Sequence, residues 1–116
     1  MQCKPLVTAL MIGVFAPMTA NAVCSVGMCE GIGEQVVRTV FLHPSGDIWL
    51  KAPADKAALR CTLVQGNYMI LRQGHALFKE SYAAILTALA TEKSWGVRIL
   101  EGSPICEVDY IIVNAK

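Results

Sequence analysis

His43, Ser45 and Asp47 fall within the run His43-Pro44-Ser45-Gly46-Asp47, which brings a base, a hydroxyl and a carboxylate together. Such residues serve nucleophilic catalysis when the base takes the hydroxyl proton and the acid orients the base. The spacing argues for something plainer. Pro44 fixes its own φ and Gly46 closes a corner, so the run reads as a hairpin turn whose side chains serve the local backbone. Glu107 and Asp109 are a second acid–base pair by type. They lie two apart in an alternating run and read as the solvated face of a strand. His75 stands just before a helical pattern and reads as a cap or loop residue. No nucleophile elbow, phosphate-binding loop or metalloprotease helix motif occurs. The residues therefore read as non-enzymatic, with no catalytic residue, cofactor or metal assigned.

The cysteines carry the clearest covalent chemistry. Of the five, Cys3 lies in a segment with Lys4 near its start, an apolar run from Leu6 to Ala16, and Ala20-Asn21-Ala22 at its end. That is the pattern of a secretory signal peptide over residues 1–22, cleaved after Ala22. The run is shorter than the roughly 20 apolar residues a membrane span needs. Residues 23–116 then form one small domain of 94 residues. Cys24, Cys29, Cys61 and Cys106 remain, an even number in a small exported chain, which suggests two disulfides. Four cysteines allow three pairings. Locality favours Cys24 with Cys29, closed by a turn at Gly27, which leaves Cys61 to meet Cys106. A zinc site is disfavoured, because there is no C-x-x-C pair and no histidine at ligand spacing. The expected location is periplasmic or secreted.

The elements that must position these residues are mostly strands. Glu34–Leu42 is β-branched and aromatic, with both faces largely apolar, and reads as a strand covered on two sides. Residues 43–46 turn, and 47–51 return as a second strand of a hairpin. Ile48 and Leu50 then share the inner face and Trp49 points outward. Leu59–Val64 reads as a third strand with Leu59, Cys61 and Leu63 inward. Residues 68–72 read as a short extension or apolar loop. Leu77–Ala90 reads as an amphipathic helix, because Phe78, Tyr82, Ile85 and Leu89 fall in one stripe at 100° per residue. Val97–Leu100 and Cys106–Val113 complete the set, with Trp95 in a loop beside Gly96. The order β-β-β-α-β-β is that of the OB-fold, a partly open five-stranded barrel with the helix as its plug. The alternative is a small α+β sandwich with one helix on an antiparallel sheet.

Phe78-Lys79-Glu80 at the helix start and Val97-Arg98-Ile99 at the next strand, between a cysteine-bearing strand and a second cysteine, carry a resemblance. The stretch from about 60 to 110 resembles small exported bacterial OB-fold proteins, including the binding subunits of AB5-type toxins of the subtilase-cytotoxin and pertussis-like group. The resemblance implies a non-enzymatic binding subunit that assembles as a ring with its helices toward the axis. It carries no binding residue over to this chain.

Charge and surface residues set the partners. Lys4 is the only charge in the first 22 residues, so the formal charge falls from +1 to 0 on cleavage. A neutral chain has no basic footprint for nucleic acid and no cationic helix for anionic membranes. Trp49 and Trp95 are candidate platforms for a glycan or a protein partner. The back of the helix carries Ala83, Ala84, Thr87 and Thr91 with few charges, a surface another copy could approach closely. Two functions follow: an exported binding module for a glycan or partner within an oligomer, or a free-standing periplasmic or secreted structural or inhibitor protein.

Overall fold

The computed structural model describes residues 23–115. The segment read as a signal peptide lies outside the described residues. The fold is mainly β with one α-helix, arranged as two antiparallel sheets.

The first sheet begins with a tight hairpin. β1 (Cys24–Ser25) and β2 (Met28–Ile32) pair so that Cys24 faces Cys29, and Gly27 turns between them at φ 75°. The two cysteines are disulfide-bonded with Cα atoms 3.9 Å apart, so the locality argument holds. β2 pairs with β6 (Ser94–Ile99), and β6 with β7 (Val108–Val113), giving the order β1-β2-β6-β7. The second sheet is β3 (Val40–Leu42), β4 (Ile48–Lys51) and β5 (Tyr68–Leu71), in chain order. One isolated parallel bridge, Ile70 to Glu107, links β5 to the start of the β7 segment, with Ile70 N donating to Cys106 O at 3.1 Å.

The core lies between the inner faces. Ile48, Leu50, Met69 and Leu71 come from one sheet, and Cys29, Trp95, Val97, Ile99 and Val108 from the other. Alternation along β4 and β6 produces these sets, since successive side chains point to opposite faces. No closed barrel is found among the described residues. The sandwich-like alternative, with one helix against an antiparallel sheet, fits.

Three expectations shift. Only Val40–Leu42 of the run 34–42 is strand. Gly33, at φ 53°, turns the chain into a single 3₁₀ turn over Gly33–Gln35, and the Gln35 side-chain oxygen accepts from Ile32 N at 2.9 Å. Val36 and Val37 are nevertheless both fully buried, because this segment crosses from one sheet to the other through the core. Leu59–Val64 is not a strand. Leu59 ends a 3₁₀ turn begun at Lys56, and Arg60, at φ 60°, adopts a left-handed conformation no ladder accommodates. Residues 60–62 bond instead to the β6–β7 loop, through Gly102 N to Arg60 O and Thr62 N to Ser103 O. The strand between the second hairpin strand and the helix is β5, which starts nine residues after Leu59. Cys61 and Cys106 are disulfide-bonded as expected, yet neither sits in a strand, and Cys106 is itself at φ 43°.

The helix α1 runs Phe78–Thr91 and packs on β7 and the 3₁₀ turn after β2. Its buried line is Ser81, Ile85 and Ala88, with Phe78, Tyr82 and Leu89 half-buried beside it. The inward direction is thus rotated by about 60° from the expected stripe. Small residues win the centre because they let the helix axis approach the sheet closely. Glu92, at φ 54°, ends the helix and Lys93 N closes it on Ala88 O at 3.1 Å.

Candidate functional site

The β3–β4 hairpin is set by the turn read from the sequence. His43 N donates to Asp47 O at 3.1 Å and Gly46 N to His43 O at 2.9 Å. Register then places Phe41 opposite Trp49, Trp49 opposite Ile70, and Lys51 opposite Tyr68. With Ile48 and Leu50 in the core, strand alternation puts all of these on the outer face. The result is a cluster of four rings: Phe41, His43, Trp49 and Tyr68.

Trp49 is its centre. The His43 imidazole stacks on it, with centroids 4.2 Å apart and planes 3° from parallel. Phe41 meets its ring edge-on at 5.5 Å, and Tyr68 tilts toward it at 5.3 Å. Phe41 also touches His43 at 5.4 Å and Tyr68 at 6.2 Å. Such offset and edge contacts are the favoured aromatic geometries, and they hold the rings in fixed orientations. Phe41 is 39% exposed and the other three rings are half-buried. Beneath them Ile70 is 3% exposed although it lies on the outer face, so the rings roof a small apolar base of their own. Lys51 and Asp47 border the cluster from β4 and its turn. Glu107 borders it from beyond β5, through the bridge to Ile70.

The histidine is oriented from behind. His43 Nδ1 accepts from Ser45 N at 3.1 Å and contacts Ser45 Oγ at 2.9 Å. With Nδ1 accepting from the main chain, the neutral ring carries its proton on Nε2. Asp47 joins only through its main chain, its N donating to Ser45 Oγ at 3.3 Å, and its carboxylate is turned elsewhere. Its Oδ1 accepts from Gln73 N at 2.8 Å, which ties the turn to the end of β5. The His–Ser–Asp run therefore builds a hairpin turn and aims an imidazole. His75 is also structural: its Nδ1 accepts from Leu77 N at 2.9 Å, and its Nε2 bonds Asp109 O at 2.6 Å. Asp109 and Glu107 are half-buried instead of lying on an open strand face.

The two tryptophans part company. Trp49 stands on the outer face as the alternation requires. Trp95 is a correction: it lies in β6, is 0% exposed, and donates from Nε1 to Gly33 O at 2.8 Å. A ring sealed in the core offers no surface to a ligand. From the sequence, Phe41 and Tyr68 are not singled out as surface rings, and His43 reads as a turn residue alone. For Phe41 and His43 the signal was present, since 41, 43 and 49 share one face across a tight turn. On α1, Ala83, Thr87 and Thr91 are exposed and Ala84 is half-buried, so most of the expected helix back is free.

Among the described residues no group of three or more His, Cys, Asp or Glu could hold a metal ion, and no helix is long and apolar enough to cross a membrane. Compared with protein-family models, curated proteins and solved structures, the chain matches none.

Proposed function

We propose that this chain is an exported binding module that takes a glycan on the ring cluster of β3, β4 and β5. The observation that carries this reading is the partly exposed, mutually locked set of Phe41, His43, Trp49 and Tyr68. The C–H face of a sugar packs on aromatic rings with little loss of side-chain entropy, because the rings are already ordered. Lys51, Asp47 and the Nε2 proton of His43 supply hydrogen-bonding groups at the rim, the usual composition of a small-molecule site. A nucleic acid would also stack, but a formal charge of +1 over 116 residues gives it no cationic path for the backbone.

The OB-fold reading gains support from the strand order. Taking β3, β4, β5, β6 and β7 as its five strands, the helix falls between the third and fourth, and the third meets the fifth in parallel at Ile70–Glu107. In an OB-fold the second and third strands form the ligand face. Here those are β4 and β5, which carry Trp49 and Tyr68. The β1–β2 hairpin occupies the flank of β6 where the first strand would close a barrel. Export is supported by the two disulfides and by the signal pattern of residues 1–22.

The test is a glycan array probed with the disulfide-bonded protein. Phe41→Ala and Trp49→Ala are each expected to weaken retention about tenfold, roughly 1.4 kcal/mol per ring. Retention by both variants equal to wild type would refute the site. A second reading, a protein-binding structural module, is favoured by Ile32 and Tyr110. They are 51% and 43% exposed on the outer face of the four-stranded sheet, and protein capture unaffected by the ring variants would support it.

A further inference from the structure

Val23 is the first residue after Ala20-Asn21-Ala22, and its main-chain nitrogen donates to Asp55 Oδ2 at 2.7 Å. The next nitrogen, that of Cys24, donates to the same oxygen at 2.8 Å. The Val23 carbonyl accepts from Glu30 N at 2.9 Å, so the residue is gripped on both sides of its Cα. Asp55 belongs to the loop between β4 and the 3₁₀ turn at Lys56, far away in sequence. Its half-buried carboxylate meets the chain at the one position that the cleavage signal marks.

We propose that Asp55 is the receptor for the N-terminus created by signal-peptide removal. The inference rests on the exported reading above. Hydrolysis of the Ala22–Val23 amide by the exporting cell's signal peptidase consumes one water. Ala22 leaves with the new carboxylate, and Val23 keeps its nitrogen as an amine that is mostly protonated at neutral pH. The neutral N–H donor at Asp55 thereby becomes an ammonium. The bond to the carboxylate is charge-assisted already, and a positive charge on the donor turns it into an ion pair as well. Cleavage thus tightens the clasp between the β1–β2 hairpin and the loop after β4. Glu30, Glu34, Arg38, Lys51 and Lys56 line the open groove beside Val23, two acids against three bases, so Asp55 must supply the specific counter-charge.

The test uses the full-length chain exported from a bacterial host. Intact mass is expected to place Val23 first. Thermal melts then compare wild type, a variant with Gly-Ser inserted between Ala22 and Val23, Asp55→Asn, and the two changes combined. The insertion moves the ammonium two residues away. It is expected to lower Tm by about 4–8 °C in wild type and by less than about 2 °C in the Asp55→Asn background. An equal loss in both backgrounds, or none in wild type, overturns the proposal. A crystal structure of the exported wild type reads the same point without any Asp55 variant. The α-nitrogen within about 3.2 Å of the Asp55 carboxylate supports the clasp, and one turned away from it overturns it. A chain recovered uncleaved defeats both the clasp and the export reading, and one cleaved at another bond defeats the clasp alone. A chain that starts at Val23 with a silent insertion defeats the clasp alone.

Discussion

Removing the Cys61–Cys106 bond should destabilise the domain far more than removing Cys24–Cys29. The two bonds close loops of very different length, with sequence separations of 45 and 5. In the chain-entropy model these separations give about 4 kcal/mol and about 2 kcal/mol. The longer bond does more than restrict the unfolded chain. It fastens the irregular segment 60–63 to the β6–β7 loop, where the other ties include Thr62 N to Ser103 O and Gly102 N to Arg60 O. It also anchors Cys106, whose φ of 43° is unfavourable for a residue with a side chain. The hairpin bonded by Cys24 and Cys29 keeps its pairing to β6 along all of β2 when the bond is cut. A domain of this size has a total stability of about 5–14 kcal/mol, so a 4 kcal/mol loss is a large share of it. The assay is chemical denaturation followed by circular dichroism, on Cys61→Ala/Cys106→Ala and Cys24→Ala/Cys29→Ala. Alanine avoids burying an unpaired hydroxyl where Cys29 and Cys106 stood. Equal losses, or a larger loss for the hairpin pair, would refute the reasoning.

Ile85→Ala should cost about 2–5 kcal/mol, because its side chain is fully buried under the helix, whereas Leu89→Ala, at the half-buried edge, should cost less; urea midpoints at unchanged m-value rank the two. If α1 mediates self-association, Arg at Ala83 and at Thr87 should lower the mass seen by light scattering while leaving Tm within about 2 °C, since both positions are exposed. An oligomer whose mass both variants leave unchanged would move the interface off this face.

What the sequence revealed, and what it hid, follows from where local rules governed. The hairpins at 24–29 and 40–51 were legible because Gly27 and the Pro44–Gly46 turn dictate their own geometry. The helix was legible from its period, and so was the outward direction of Trp49 from alternation on β4. The remainder depended on neighbours distant in sequence. Met69, Ile70 and Leu71 form a continuous apolar run, since β5 is covered on both faces, and such a run shows no period to read. Gly96 looked like the end of a loop. It is instead a point in β6 where β2 leaves little room for a side chain: a Cβ there would lie 3.2 Å from the Cys29 carbonyl oxygen. With Gly96 inside the strand, Trp95 enters the core. The ring cluster was half visible, because Tyr68 joins it only once β5 is recognised as a strand.

The open sheets have a consequence for how the protein behaves at high concentration. β5 and β7 are the edges that face each other, joined through the single Ile70–Glu107 bridge, and the margins without even such a bridge are β1 and β3. These are the shortest strands, of two and three residues. β3 is followed at once by His43 and then Pro44, which has no N–H to offer an incoming chain. Fibril-forming contacts draw on segments of about six or seven residues in extended register. Neither margin can present one, although Leu42 on β3 is 60% exposed. A nearly uncharged molecule has little long-range repulsion to keep copies apart. The brevity of β1 and β3 therefore limits strand addition at those two margins, and lengthening β3 past Pro44 would remove that limit.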